Sequence, residues 1–179
     1  PNLIHRDFTS EHPNDLWLSD ITYIPTREGW LYLAAVLDAY SRALVGWAMS
    51  RTLGTQLAMD ALNMAIAHRG PPVTLHSDQG STYATGSYRE IVNCHGIRQS
   101  MSRKGDCWDN APMESFFHTL KTELVMHCDY KTRDDARVSL FDYMEVFYNR
   151  QRRHSSISYE APLPFEAMKS PSKVSTVRG

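Results

Sequence analysis

Runs of apolar residues at strand and helix period divide this chain into short elements. "LWLSDITYI" (16–24) reads as a strand, ended by Pro25 and the turn before Gly29. "WLYLAAVLD" (30–38) and "ALVGWAMS" (43–50) read as two more, and the short polar link "AYSR" between them predicts a meander. In "TQLAMDALNMAIAHRG" (55–70) the spacing turns helical, with Leu57, Ala58, Ala61, Leu62, Ala65 and Ile66 inward and Gly70 and Pro71 as the stop. A short strand at 73–78, a helix across 87–96 and an edge strand at 97–102 follow, then the polar loop "RKGDCWD".

"CWDNAPMESFFHTLKTEL" (107–124) carries an apolar stripe of Met113, Phe116, Phe117, Leu120 and Leu124. Asp109 or Asn110 is suited to cap it, and Pro112 falls in the first turn, where amide hydrogens lack partners anyway. A longer helix is predicted over 132–150, with Val138, Phe141, Met144 and Phe147 at core spacing. The aromatics at 116, 117, 141 and 147 read as core residues rather than base-stacking platforms. Residues 1–12 read as an extended lead-in, 13–154 as the core, and 155–179, with Pro162, Pro164 and Pro171, as an extended tail. The expected architecture is α/β, a mixed central sheet flanked by helices. Periodicity supports that class and no more.

Composition narrows the picture. An apolar fraction of 42% over 179 residues suits one folded domain with a real core. The net charge of −1 offers no global basic field, so any DNA contact must come from local patches. Cys94, Cys107 and Cys128 are odd in number and widely spaced, as expected of reduced thiols in a cytosolic protein rather than of a disulfide framework or a zinc knuckle. No apolar run approaches the ~20 residues needed to span a bilayer. A chain that opens on Pro1 rather than Met reads as a fragment of something longer.

Three acids sit oddly against this pattern. Asp20 interrupts an apolar strand, on the face shared by Leu18 and Thr22. Asp78 closes "VTLHSD", and Glu114 borders the apolar stripe of its helix, with His118 and Lys121 following at i+4 and i+7. An acid in or at the end of a buried strand is costly unless it is paired, hydrogen-bonded or bound to metal. Taken singly, each has an ordinary reading: a turn residue, or a helix edge facing water.

The joint pattern resembles the Asp-Asp-Glu triad of the DDE transposases and retroviral integrases. "HSDQGSTY" (76–83), "SMSRKGDCWDNAPMESFFHTLKTE" (100–123) and "YNRQRRHSSISYEAPLPFEA" (148–167) are similar to the bacterial insertion-sequence branch that moves through a circular DNA intermediate. The likeness spans roughly residues 10 to 168, and the second segment is its most specific part. It implies a ribonuclease-H-like fold, Asp20, Asp78 and Glu114 as catalytic metal ligands, and two Mg²⁺ ions for which Mn²⁺ substitutes. It further implies nicking at transposon ends, 3′-hydroxyl strand transfer, and a homo-oligomer on DNA. An N-terminal helix-turn-helix region, normal in such transposases, is missing from this sequence.

The chemistry fits those residue types. Two divalent ions about 3.5–4 Å apart can activate an attacking oxygen and stabilise a leaving one. Carboxylate oxygens suit Mg²⁺, and close carboxylates without metal repel by roughly 4 kcal/mol at an effective dielectric near 20. The resemblance makes Lys121 a DNA contact, and His118 extends the same line. Arg103 and Lys104 before the helix, and Arg150, Arg152 and Arg153 beyond the last one, are candidate phosphate contacts or else a solvated surface. His76, two residues before Asp78, is a candidate to orient it, against an ordinary packed histidine. His76, Asp78 and His118 match no usual zinc spacing. Asp38 is assigned a turn role with Arg42 as ion-pair partner. Two rivals remain open: a hydrolysis-only ribonuclease-H-like nuclease, and a non-catalytic DNA-binding or assembly module.

Overall fold

The computed structural model describes residues 2–103 and 107–169. Strand β1 (Leu16–Thr26) lies at the centre of a five-stranded sheet of order β3-β2-β1-β4-β5. The meander forms as predicted: β1 pairs antiparallel with β2 (Gly29–Asp38), and β2 with β3 (Leu44–Ser50). Helix α1 (Thr55–Arg69) then returns the chain so that β4 (Thr74–Ser77) pairs parallel with β1. Helix α2 (Gly86–Cys94) leads to β5 (Arg98–Met101), parallel to β4. Pro25 does not end β1; it lies opposite Trp30, and the strand runs one residue further.

Alternation divides the strand side chains between two cores. Leu16, Leu18 and Ile24 of β1, with Leu31, Leu33, Ala35 and Leu37 of β2, pack against α3 (Ala111–Glu123) and α4 (Arg133–Phe141). Trp17, Ala34 and Val36 face the other way, onto Leu57, Ala58, Ala61, Leu62 and Ala65 of α1. At Gly46 in β3 a Cβ would lie 2.3 Å from the Ala61 carbonyl oxygen and 2.7 Å from Ala65. The helix rests directly on the strand backbone there, and only glycine and alanine faces permit that approach.

The helix predicted over 132–150 starts with a reciprocal capping box, Thr132 accepting from Asp135 while Asp135 accepts from Thr132. From Asp142 to Tyr148 it widens to π-type turns. Each such turn holds an extra residue and rotates the apolar face, so even spacing picks the wrong side chains. The core residues are Ala136, Leu140, Tyr143, Met144 and Tyr148. Val138 is 65% exposed, Phe141 46% and Phe147 40%; of the four expected core positions only Met144 is buried.

Both termini differ from the expected extended chain. Residues 2–15 form turns that pack Ile4 and Phe8 on the core. The tail from Ser155 makes a 3₁₀ turn (Ser155–Ile157) and then α5 (Pro162–Lys169). Pro162 and Pro164 fall in the first turn of α5, where proline is well accommodated, so residues read as breakers begin a helix. Glu166 fixes α5 to the core through Arg69 (Nη1 to Oε1, 2.7 Å) and the Ser41 hydroxyl. Residues 170–179 of the tail lie outside the described residues.

The contact at Gly46 yields a test. Gly46→Ala must push α1 off β3, an overpacking cost of about 1–3 kcal/mol. The expected outcome is a Tm lowered by several degrees in a thermal melt, whereas Gly54→Ala, with open space at its Cβ, leaves Tm within a degree or two.

Candidate active site

Parallel pairing of β1 with β4 builds the site. Leu18 lies opposite His76 and Ser19 opposite Ser77, so Asp20 and Asp78 come next on adjacent strands. Both line a cleft of about 250 Å³ with Tyr23, Tyr32, Gly80 and Tyr83. Asp78 sits just past β4, its carboxylate accepting from the Gly80 amide at 3.2 Å. Asp20 accepts only from the neighbouring Ile21 amide, at 2.8 Å. Burial first, and then the charges of Asp78 and Glu114, raise the Asp20 carboxyl to about 7. Burial raises Asp78 as well.

Glu114 stands exposed on the first turns of α3, where its charge bears on Asp20. His118 is exposed one turn further. Lys121 places its Nζ 4.9 Å from the centre of the Tyr23 ring, at the rim of the same cleft. As the side chains stand, no three His, Cys, Asp or Glu among the described residues are gathered closely enough to enclose a metal ion. The donor set still fits a hard cation: all oxygen, and mutually repelling at short range.

His76 does not touch Asp78. It is fully buried, and its Nδ1 pairs with the Ser100 hydroxyl at 2.8 Å. Its Nε2 lies 2.8 Å from the Asp109 carbonyl oxygen and 3.1 Å from the Ser102 hydroxyl. A carbonyl can only accept, so Nε2 carries the proton. Burial lowers the ring's affinity for a second one. The neutral ring thus links β4 to β5 and to the segment that opens α3.

Asp109 is the residue that sequence reasoning undervalued. Its carboxylate does not cap α3; neither does Asn110, which makes no side-chain cap bond. Fully enclosed, Asp109 accepts from the Arg103 amide, Nε and Nη2, from Arg6 Nε, and from Asn2 Nδ2, all at 2.9–3.1 Å. These donors, Arg103 foremost, hold the carboxyl far below the usual range. Asn110 donates to the Ser19 carbonyl beside Asp20, while its own Oδ1 is buried without a partner among the described residues. The signal was a polar pair immediately before an apolar stripe, which a cap explains equally well.

The other candidates do not gather at the carboxylates. Arg103 is held by Asp109 with most of its side chain exposed. Lys104 lies outside the described residues. Arg150 Nε donates to the Glu145 carbonyl, and Arg152 makes an ion pair with Glu123 at 2.7 Å. Arg152 and Arg153 line a separate cleft on another flank of α3. Asp38 does keep a turn role, accepting from the Tyr40 and Ser41 amides, but the other oxygen takes the Asn14 amide and Trp17 Nε1 rather than Arg42.

The Asp20 environment sets a pH dependence. A carboxyl whose folded value is raised from 3.8 to about 7 leaves the folded state holding more protons than the unfolded one between those values. Metal-free stability must therefore fall as pH rises from about 4 to 7, by about 1.4 kcal/mol per unit of separation at most. Asp20→Asn removes this slope and raises Tm at pH 8. Melts across pH in EDTA check it; parallel wild-type and mutant curves would refute it.

Comparisons with known proteins bear on the fold and the family. Residues 10–107 match one integrase core domain family model and residues 95–162 match a second. The chain is 47% identical over 167 residues to the transposase InsF for insertion sequence IS3A of Escherichia coli K12. It is 45% identical over 168 residues to the transposase for element IS904 of Lactococcus lactis. These alignments cover 92% and 93% of this chain but 58% and 66% of the relatives, so the chain spans about three fifths of their length. In three dimensions it resembles an integrase of the simian T-cell lymphotropic virus intasome, solved with a PP2A regulatory subunit, at TM-score 0.76 and 20% identity over 92% of this chain and 57% of that one. The HTLV-2 integrase catalytic core, solved in complex with magnesium, superposes at TM-score 0.69 and 17% identity over 88% of this chain and 99% of its own. The sheet order and the crossover are thus those of a ribonuclease-H-like fold, and the chain belongs to the integrase core domain family.

Proposed function

We propose that this chain is the catalytic core of an insertion-sequence transposase, nicking DNA at transposon ends and joining the 3′-hydroxyl to target DNA. The observation that carries the reading is the pairing of Asp20 with Asp78 in one cleft, within the field of Glu114. Two half-buried acids with few hydrogen bonds make a poor structural device and a good seat for divalent cations. The relatives' names support the choice of transposase over a nuclease that only hydrolyses.

Asp20, Asp78 and Glu114 would hold Mg²⁺, two ions with Mn²⁺ as substitute, and a magnesium-bound relative supports that choice. The bound ions would supply activation of the attacking oxygen and stabilisation of the leaving one. The protein's own residues hold and orient the substrate. Lys121, steadied over Tyr23, and His118 stand on the face of α3 that carries Glu114 and grip phosphates of the strand entering the cleft. Arg103, Lys104, Arg150, Arg152 and Arg153 add backbone contacts further out. His76 acts through Asp109 rather than through Asp78: it fixes the segment from which α3 starts, and so the position of Glu114. End recognition belongs to a helix-turn-helix region N-terminal to this segment, and the working form is a homo-oligomer on DNA in the bacterial cytoplasm.

Nicking and strand transfer by the full-length protein on its element's ends test the proposal. Asp78→Asn should abolish both reactions and shrink the rise in Tm that Mg²⁺ gives the wild type. Equal metal stabilisation in the two proteins would place the ion elsewhere. Lys121→Ala should weaken DNA binding about equally across sequences and lower the salt slope by about one. A loss confined to terminal-repeat duplexes would contradict a phosphate contact.

A further inference from the structure

The larger cleft in the described residues is not the one between the acids. It measures about 610 Å³ and lies on the flank of α3 lined by Ser115 and Thr119. Ser115 follows Glu114 directly, so it points about 100° around the helix from the acid whose charge reaches Asp20. Arg42 enters from the β2–β3 turn and Arg152, Arg153 and His154 from beyond α4, with Ser155, Ser156 and Tyr159 completing the wall. No Asp or Glu lines it.

The charges inside do not cancel. Arg152 is neutralised by Glu123. His154 accepts from Arg152 on Nδ1, and burial beside Arg152 and Arg42 lowers it to about 4, so it is neutral near pH 7. Arg153 is exposed and makes no ion pair among the described residues. Arg42 is largely enclosed, yet its guanidinium forms no hydrogen bond or ion pair with any described residue; Asp38 acts on it only from a distance. An enclosed guanidinium without an anion is costly. Arg42 is also in the left-handed region (φ 64°), as is Tyr159 (φ 59°), so two of the six non-glycine residues with positive φ among the described residues fall at this wall. Strain of that kind persists only where surrounding structure enforces it.

We infer that this cleft binds a backbone phosphate of the DNA whose neighbouring phosphates reach the carboxylate cleft, with Arg42 and Arg153 as the charged contacts and the Ser115 and Thr119 hydroxyls as donors. The inference rests on the DNA-processing reading above and extends it to a second anchoring point. One helix serves both clefts: Ser115 and Thr119 of α3 line this one, and Lys121 of α3 stands over Tyr23 at the rim of the other. A strand lying across α3 therefore meets both. Guanidinium groups favour phosphate through paired donors, and Arg42 has all its donors available.

Fluorescence anisotropy with a short labelled duplex, in EDTA and over a range of salt, tests the cleft without any demand on catalysis. Arg42→Gln and Arg153→Gln should each weaken binding at least about threefold and lower the log–log salt slope by about one. Arg42→Lys should retain most of the affinity, and Arg89→Gln, on the exposed face of α2, should change nothing. Thermal melts confirm that each variant is folded; should Arg42→Gln unfold, exposed Arg153 and Arg42→Lys carry the test. Unchanged affinity and slope in folded variants overturn the inference. So does titration showing that Arg42→Gln loses binding of inorganic phosphate while duplex affinity stays intact, which would define a small-anion site. A protein that binds duplex through this cleft but never nicks with Mg²⁺ removes the catalytic reading and leaves the cleft standing. Normal nicking with wild-type duplex affinity in both variants does the reverse.

Discussion

The enclosed carboxylate of Asp109 is the interaction on which the site's arrangement depends. Removing a charge from water is costly, and the cost is recovered only when every lone pair finds a donor. Asp109 satisfies that demand with Arg103, Arg6 and Asn2. Its donors come from two places: the lead-in, through Asn2 and Arg6, and the stretch after β5, through the backbone and side chain of Arg103. Its carbonyl meanwhile receives the His76 ring from β4. A single residue thereby fastens the N-terminal turns, the two parallel strands and the start of α3. Removing its charge would strip Arg103 and Arg6 of their shared carboxylate and free the helix bearing Glu114 to shift.

The electrostatics of the acids run in the opposite sense. Asp109 is surrounded by cations and stays ionised. Asp20 is surrounded by apolar surface and other acids, and favours its proton. Two aspartates of one fold are thus held in opposite states by their neighbours alone. The first contributes rigidity to the framework. The second makes the folded protein less stable as it ionises, and a bound cation would offset that cost. The fold tolerates this locally unfavourable arrangement because the sheet beneath it, packed on both faces, determines where the strands lie.

Much of this was legible from the amino acids. The strands declared themselves by alternation, and Asp20 stood out because it breaks the pattern on a face whose other members are Leu18 and Ile24. The acids and Lys121 were found through their joint spacing, not through any local feature. What escaped has physical reasons. The π-type turns of 142–148 change the helical period, so Phe147 was counted inward when its neighbour Tyr148 is the buried one; Val138 and Phe141, in the regular turns before them, were placed on the core face that Ala136 and Leu140 occupy instead. Pro162 and Pro164 signal a break or a first turn with equal force, and only the docking of Glu166 on Arg69 decides for the helix. Arg42 read as the partner of Asp38 because the two are close in sequence, whereas Asp38 is satisfied by Asn14 and Trp17 from another strand. Long-range pairing of polar groups leaves no periodic trace.

The crossover from β3 through α1 to β4 bears on when the protein acquires chemistry at all. Antiparallel β1–β3 can assemble from neighbouring segments, but Asp78 reaches Asp20 only after the whole of α1 has folded back and the parallel pair has closed. Such non-local closure carries an entropic cost that adjacent contacts do not repay, and it comes late in folding. Glu114 arrives later still along the chain, on a helix whose start is secured through β4 and β5. A partly synthesised or partly unfolded molecule therefore carries the acids without the cleft. Completion of the fold is itself the switch that confines the carboxylate cleft to finished protein.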